Sequence, residues 1–170
     1  AGVDVLFGRL DEGLGKLGRP PAVDVLVNNA AISPRGTIED TSEEVYDEVF
    51  AVNAKAPFFI IQRALRRMPD GGRIINISSQ GGKSGFPHAS AYVSSKHGVI
   101  GFTRSVAIEL GSHGITVNAV CPKHVTTGLG SWQNDYFSKL LGVSLDDYMA
   151  AMKSRIPLGR TGLPSDIGNA

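Results

Sequence analysis

The sequence predicts an α/β fold, a doubly wound parallel sheet with helices packed against it. Three observations carry this. Apolar runs of strand length occupy residues 23–27, 73–79 and 115–121. Between them lie two long stretches, 41–68 and 89–110, whose apolar residues recur at helical spacing. The strand runs also lack the alternation of a half-solvated strand, as buried parallel strands do. Strands that alternate with helices of this length pair in parallel through right-handed crossovers.

Length and composition bound the rest. At 170 residues the chain suits one domain with a sizeable core. Lys and Arg number 17 against 16 Asp and Glu, a net charge of +1 with no basic run, which argues against a nucleic-acid partner. The longest apolar runs are strand-sized, far below the ~20 residues of a membrane span. No basic segment followed by an apolar core opens the chain, and the single Cys121 has no disulfide partner within it. Cys121 is expected to be a small buried residue, and the location expected is the cytoplasm. The chain starts at Ala1 without a methionine and ends as a helix opens near Pro164, so an internal piece of a longer protein is expected.

Taken in order, Val3, Leu6, Leu10, Leu14 and Leu17 mark a helix weakened by Gly8, Gly13 and Gly15. The run from Gly13 to Gly18 fits G-x-G-x-x-G, but no strand precedes it and Pro20 and Pro21 follow. It reads as a fraying helix end rather than a phosphate loop. The strand at 23–27 ends at Asn28 and Asn29. Thr41 with Glu44 three later gives a capping box for a helix running to about Met68, kinked or broken at Pro57. A turn at 69–72 leads to the second strand, and a glycine-rich loop to the central helix, which Gly111 and Gly114 terminate. The third strand stops at Pro122, and residues 123–162 read as loop with short helices.

In such a sheet, ligands sit beyond the carboxyl ends of the strands. Asn28 and Asn29, Ser78 and Ser79, and Pro122 to Val125 all fall there, beside the start of the central helix. That helix carries Tyr92 and Lys96, four apart and therefore on one face. A lysine beside a phenol favours the phenolate, so the pair suits proton exchange near neutral pH. Ser78, Asn76 and Asn118 read as structural hydrogen-bonders. His88 and His97 flank the tyrosine in surface or supporting positions, His113 reads as a favourable charge at a helix C-terminus, and no His, Cys and carboxylate spacing suggests a metal.

With these residues in place the chain resembles the short-chain dehydrogenase/reductases along nearly its whole length. The motifs are Asn28-Asn29-Ala30, Asn53, the strand ending in Ser79, Tyr92-x-x-x-Lys96, Pro122-x-x-Val125-x-Thr127, and the turn from Pro157 to Arg160. The resemblance implies a Rossmann-like sheet lacking its glycine-rich first βαβ unit upstream and its last strand downstream. It implies hydride transfer between NAD or NADP and a secondary alcohol or ketone. Tyr92 is then the general acid/base, Lys96 lowers its pKa and binds the nicotinamide ribose, Ser79 donates to the carbonyl oxygen, and Asn53 holds a relay water. Asn29 lines the adenosine side of the cofactor and Val125 packs near the nicotinamide. A homotetramer or homodimer is implied, and residues 126–160 form the substrate lid.

The sequence departs from the family pattern at Ala31 and Lys123, which replace usual glycines. The first methyl threatens crowding at the cofactor, or a backbone shift where the glycine has positive φ. The residue that chooses NAD or NADP is expected upstream of Ala1. A polyol or sugar substrate and a 3-oxoacyl substrate both fit the lid. Other readings are an epimerase or dehydratase using the same Tyr-Lys pair, and a catalytically silent binding or scaffold protein.

Overall fold

In the computed structural model, which describes residues 2–170, two compact units divide the chain, Ala1–Cys121 and Pro122–Ala170. The first is built on one parallel sheet of β1 (Val25–Asn28), β2 (Arg73–Ile77) and β3 (Thr116–Val120), in that order. Leu26, Ile74 and Val117 lie abreast, and so do Asn28, Asn76 and Ala119. Two successive right-handed crossovers in one direction place both connecting helices on the same face. On that face Ile61, Met68, Ile74, Val106, Ile115 and Val117 form the core. Each such side chain contributes about 1.5–3 kcal/mol on burial. The absence of alternation suggested cover on both faces. Instead Val25 and Val27, which point away from the core, are more than half exposed, because both crossovers take the other side.

The first crossover is interrupted next to Pro57, as the sequence suggests, and ends at Ala64 rather than near Met68. It consists of α2 (Glu43–Phe50), a π-helical turn (Ala51–Lys55) and α3 (Ala56–Ala64). Ser42, not Thr41, caps α2 by accepting from the Val45 amide at 3.3 Å. The Thr41 hydroxyl donates to the Thr37 carbonyl at 2.6 Å. The π turn is closed by the Ala56 amide on the Ala51 carbonyl. Pro57 explains the break: it has no N–H to donate to the Asn53 carbonyl, four residues back.

The second crossover is α4 (Ser90–Glu109), about 30 Å long. Its buried residues Tyr92, Ser95, Lys96, Val99, Thr103 and Val106 follow one helical stripe. Three are polar, and each has partners. Asn28 Nδ2 donates to Asn76 Oδ1 at 2.9 Å, and Asn76 Nδ2 donates to Thr103 Oγ1 at 2.9 Å. This chain ties two strands to α4 and satisfies the fully buried Asn76, so Asn76 is structural as read from the sequence.

The helix α1 (Gly2–Lys16) packs on α3 and contains Gly13 and Gly15 within its last turn, so the G-x-G-x-x-G run is helical and not a phosphate loop. Arg67 grips Asp11 with two nitrogens and lies over the Phe7 ring, 5.0 Å from its centroid. In the second unit α5 (Gly128–Leu141) and α6 (Leu145–Lys153) pack together, capped by Thr127 and Ser144. Trp132 stacks on Tyr136, and Phe137 on Tyr148. A parallel bridge joins Val125 to Gly162 ahead of α7 (Pro164–Gly168).

Candidate active site

Tyr92 and Lys96 stand on the buried stripe of α4, 8% and 2% exposed. Lys96 Nζ donates to the Ile77 carbonyl, at the end of β2, at 2.8 Å. Ser78 Oγ donates to the Lys96 carbonyl at 3.0 Å, which makes Ser78 structural, as its strand-end position suggested. Gly82 lets the turn after β2 rest on α4. A Cβ there would lie 2.5 Å from Ser78 Oγ and 2.6 Å from the Lys96 carbonyl oxygen. Burial pulls the Lys96 ammonium down from 10.5 to about 8.

Ser79 ends the strand with its hydroxyl reaching the Tyr92 phenol while accepting from the Gly81 amide at 3.0 Å. Burial pushes the phenol up, and both the Ser79 hydrogen bond and the charge of Arg35 pull it back. The Lys96 nitrogen, bound to the Ile77 carbonyl, lies 5.9 Å from the Tyr92 ring centroid.

Asn53 sits in the π turn, 1% exposed. Its Oδ1 accepts from the Ile32 amide at 2.9 Å; its Nδ2 donates to the Ile32 carbonyl at 2.9 Å and to Ser95 Oγ at 3.1 Å. Ser95 Oγ in turn donates to the Tyr92 carbonyl at 2.7 Å. Asn53 therefore clamps the loop after β1 to α4, and its side-chain amide is fully engaged. Ser95 was not foreseen, although it lies three residues from Tyr92 on the same helix face.

Arg35 was not foreseen either; nothing in its local sequence marks it. It stacks over Phe86, guanidinium carbon 5.2 Å from the ring centroid, and Phe86 lies 6.4 Å from the Tyr92 ring. Arg35, Thr41, His88, Ser90 and Tyr92 line one cleft of about 90 Å³. His88 holds a left-handed backbone, φ 60°, while its carbonyl accepts from the Gly36 amide at 3.2 Å.

The remaining sequence candidates fall as follows. Asn29 is exposed just past β1. Ala31 has no positive φ, so its methyl needs no backbone shift. Val125, Lys123 and Thr127 belong to the second unit. His97 Nδ1 lies 3.0 Å from the Val93 carbonyl on the exposed side of α4. His113 lies in the last helical turn after α4, as read, with its Nδ1 3.1 Å from Asp70 Oδ1. Among the described residues no cluster of three His, Cys, Asp or Glu side chains could hold a metal, and no helix is long and apolar enough to cross a membrane.

A buried Tyr–Ser pair beside a buried lysine can exchange a proton with a bound oxygen and stabilise charge on it. Known proteins resemble the chain along most of its length. The family model described as enoyl-(acyl carrier protein) reductase matches residues 7–170. A 3-oxoacyl-(acyl-carrier-protein) reductase of Rickettsia felis is 38% identical over 156 residues, covering 91% of this chain and 60% of its own. A galactitol 2-dehydrogenase of Agrobacterium fabrum is 35% identical over 170 residues, covering 98% and 64%. Among solved structures, a landomycin C-6 ketoreductase with bound NADP and rabelomycin superposes with a TM-score of 0.82 at 36% identity, covering 98% of this chain and 60% of that one. The chain thus spans roughly three fifths of the length of these relatives.

Proposed function

The chain belongs to the short-chain dehydrogenase/reductase family, and from that premise we propose that the whole protein interconverts a secondary alcohol and its ketone with NAD or NADP. The observation that carries this reading is Lys96. An ammonium has three donors; this one is buried and gives one to protein, the Ile77 carbonyl. The two donors that remain suit the hydroxyls of a nicotinamide ribose. The nicotinamide, when bound, gives or takes the hydride.

The chain's own residues do the rest. Tyr92 passes its proton to the substrate oxygen during reduction and takes it back during oxidation. Ser79, already on the phenol, donates to the same oxygen as charge develops there. Lys96 orients the ribose, and Asn53 fixes α4 through Ser95 and leaves its backbone carbonyl for a relay water. We place Asn29 on the adenosine side of the cofactor and Val125 near the nicotinamide. Residues 126–160 serve as the substrate lid.

Within α5, Asp135 is paired with Lys139 at 2.7 Å, while Leu129 and Trp132 are more than two fifths exposed. This favours the ketone of an acyl chain or ring over a polyol. Balanced charge and a single cysteine support a cytoplasmic homo-oligomer. The test is nicotinamide absorbance at 340 nm with the full-length protein, 3-oxoacyl thioesters, cyclic ketones and polyols. Tyr92→Phe is expected to lower turnover by about 10²–10⁴-fold. Turnover that survives this substitution unchanged sinks the mechanism.

A further inference from the structure

We propose that the cleft shared by Arg35, His88 and Tyr92 is a specificity subsite, in which the Arg35 guanidinium takes a carboxylate that the substrate carries a few bonds from its ketone. The inference rests on the reductase reading and narrows it, from any secondary alcohol or ketone to one that bears an acid group.

Two loops build the cleft. Pro34, Arg35 and Gly36 come from the loop after β1, and His88 to Tyr92 from the turn into α4 and its first residues. The Gly36 amide donates to the His88 carbonyl at 3.2 Å, so backbone ties the two walls together. Arg35 is seated there and not a free tether. Its guanidinium carbon lies 5.2 Å from the Phe86 centroid, and stacking on a ring sets where the planar fork of donors sits. The Phe86 centroid is in turn 6.4 Å from that of Tyr92, so the cation and the acid/base share one aromatic neighbour. Gly81 makes room for both rings: a Cβ there would meet Phe86 Cε1 at 2.9 Å and Tyr92 Cε1 at 3.3 Å.

Size and charge select the group that fits. At about 90 Å³ the cleft admits a small head such as a carboxylate, not a second ring. A guanidinium offers five donors whose geometry matches a carboxylate at two points. Ser90 adds a hydroxyl to the same wall, while the Thr41 hydroxyl is given to the Thr37 carbonyl. The start of α4 also suits an anion: it has no side-chain cap and no acidic residue in its first turn. One group opposes. Asp40 lines the cleft too, but it is exposed and its carboxylate accepts from Thr37 Oγ1 at 2.6 Å. A neutral ester or hydroxyl of the same size gains only neutral hydrogen bonds there, roughly half as strong.

The experiment uses the full-length protein and four methyl ketones: 3-oxobutanoate, 4-oxopentanoate, 5-oxohexanoate and 6-oxoheptanoate. Each is compared with its methyl ester by nicotinamide absorbance at 340 nm. At least one acid is expected to exceed its ester by about tenfold or more in kcat/KM, the difference lying in KM. Arg35→Gln then brings that ratio towards one. A merely structural role for Arg35 lowers acid and ester together, and an intact ratio in Arg35→Gln overturns the proposal. So does an ester that matches its acid at all four lengths. If Arg35→Gln does not fold, Arg35→Lys keeps the charge and loses the stacked fork; a ratio reduced severalfold supports the proposal and an unchanged one overturns it. Isothermal titration of the four acids into protein saturated with oxidised cofactor, where no hydride can pass to a ketone, separates the two readings. Acid binding that Arg35→Gln abolishes, in a protein that reduces no ketone, sinks only the reductase reading. Ketone reduction with no preference for any acid sinks only the subsite, and a protein that neither binds the acids nor reduces a ketone sinks both.

Discussion

Lys96 gives the most quantitative handle on the site, through stability rather than turnover. It is 2% exposed, and burial holds its ammonium at about 8 against an ordinary 10.5. At ~1.4 kcal/mol per pH unit, that gap is worth about 3 kcal/mol. The sign follows from proton counting. Below pH 8 both folded and unfolded chains hold the proton, and the fold carries the full cost of a buried charge. Between about pH 8 and 10.5 the unfolded chain binds more protons than the folded one, so stability rises with pH. Lys96→Met keeps an unbranched stem and removes the charge. It also removes the bond to the Ile77 carbonyl, a loss of about 1 kcal/mol. The variant is therefore expected to be about 2 kcal/mol more stable than wild type at pH 7. That advantage should shrink by ~1.4 kcal/mol per unit from pH 8 to 10. Urea midpoints followed by circular dichroism in the full-length protein at pH 7, 8, 9 and 10 measure it directly. A difference that stays flat across this range refutes the buried-ammonium account.

Two further perturbations test the scaffold around the site. Asn53→Ala strips three hydrogen bonds and leaves both backbone groups of Ile32 without their partners, so thermal denaturation should show a loss of about 3 kcal/mol. An unchanged melting temperature would mean that the loop after β1 is held by other contacts. Gly82→Ala forces a methyl against the Lys96 carbonyl and should cost about 1–3 kcal/mol. Gly98→Ala, in α4 with nothing within 4 Å, should stabilise by about 0.5–1 kcal/mol. Equal denaturation midpoints for these two variants would contradict the packing of the β2 turn on α4.

What the sequence by itself determined was local or periodic. The three strand runs, the long stripe of α4 and the Tyr92–Lys96 face all follow from residues a few positions apart, whose spacing alone fixes which side they share. The helical fate of Gly13 and Gly15 was legible too, because the prolines at 20 and 21 denied it the strand–turn–helix setting of a phosphate loop. Pro57 announced a break, since a missing N–H is visible in one letter, but whether the helix kinked or widened depended on Asn53 reaching Ile32 and Ser95 across the fold. Likewise Ser42, rather than Thr41, took the cap of α2. Only the tertiary structure decided the electrostatics. Burial acts through space, so Arg35, on a distant loop, comes to line the same cleft as Tyr92, while Lys96, one helical turn away, is desolvated and bound to the Ile77 carbonyl.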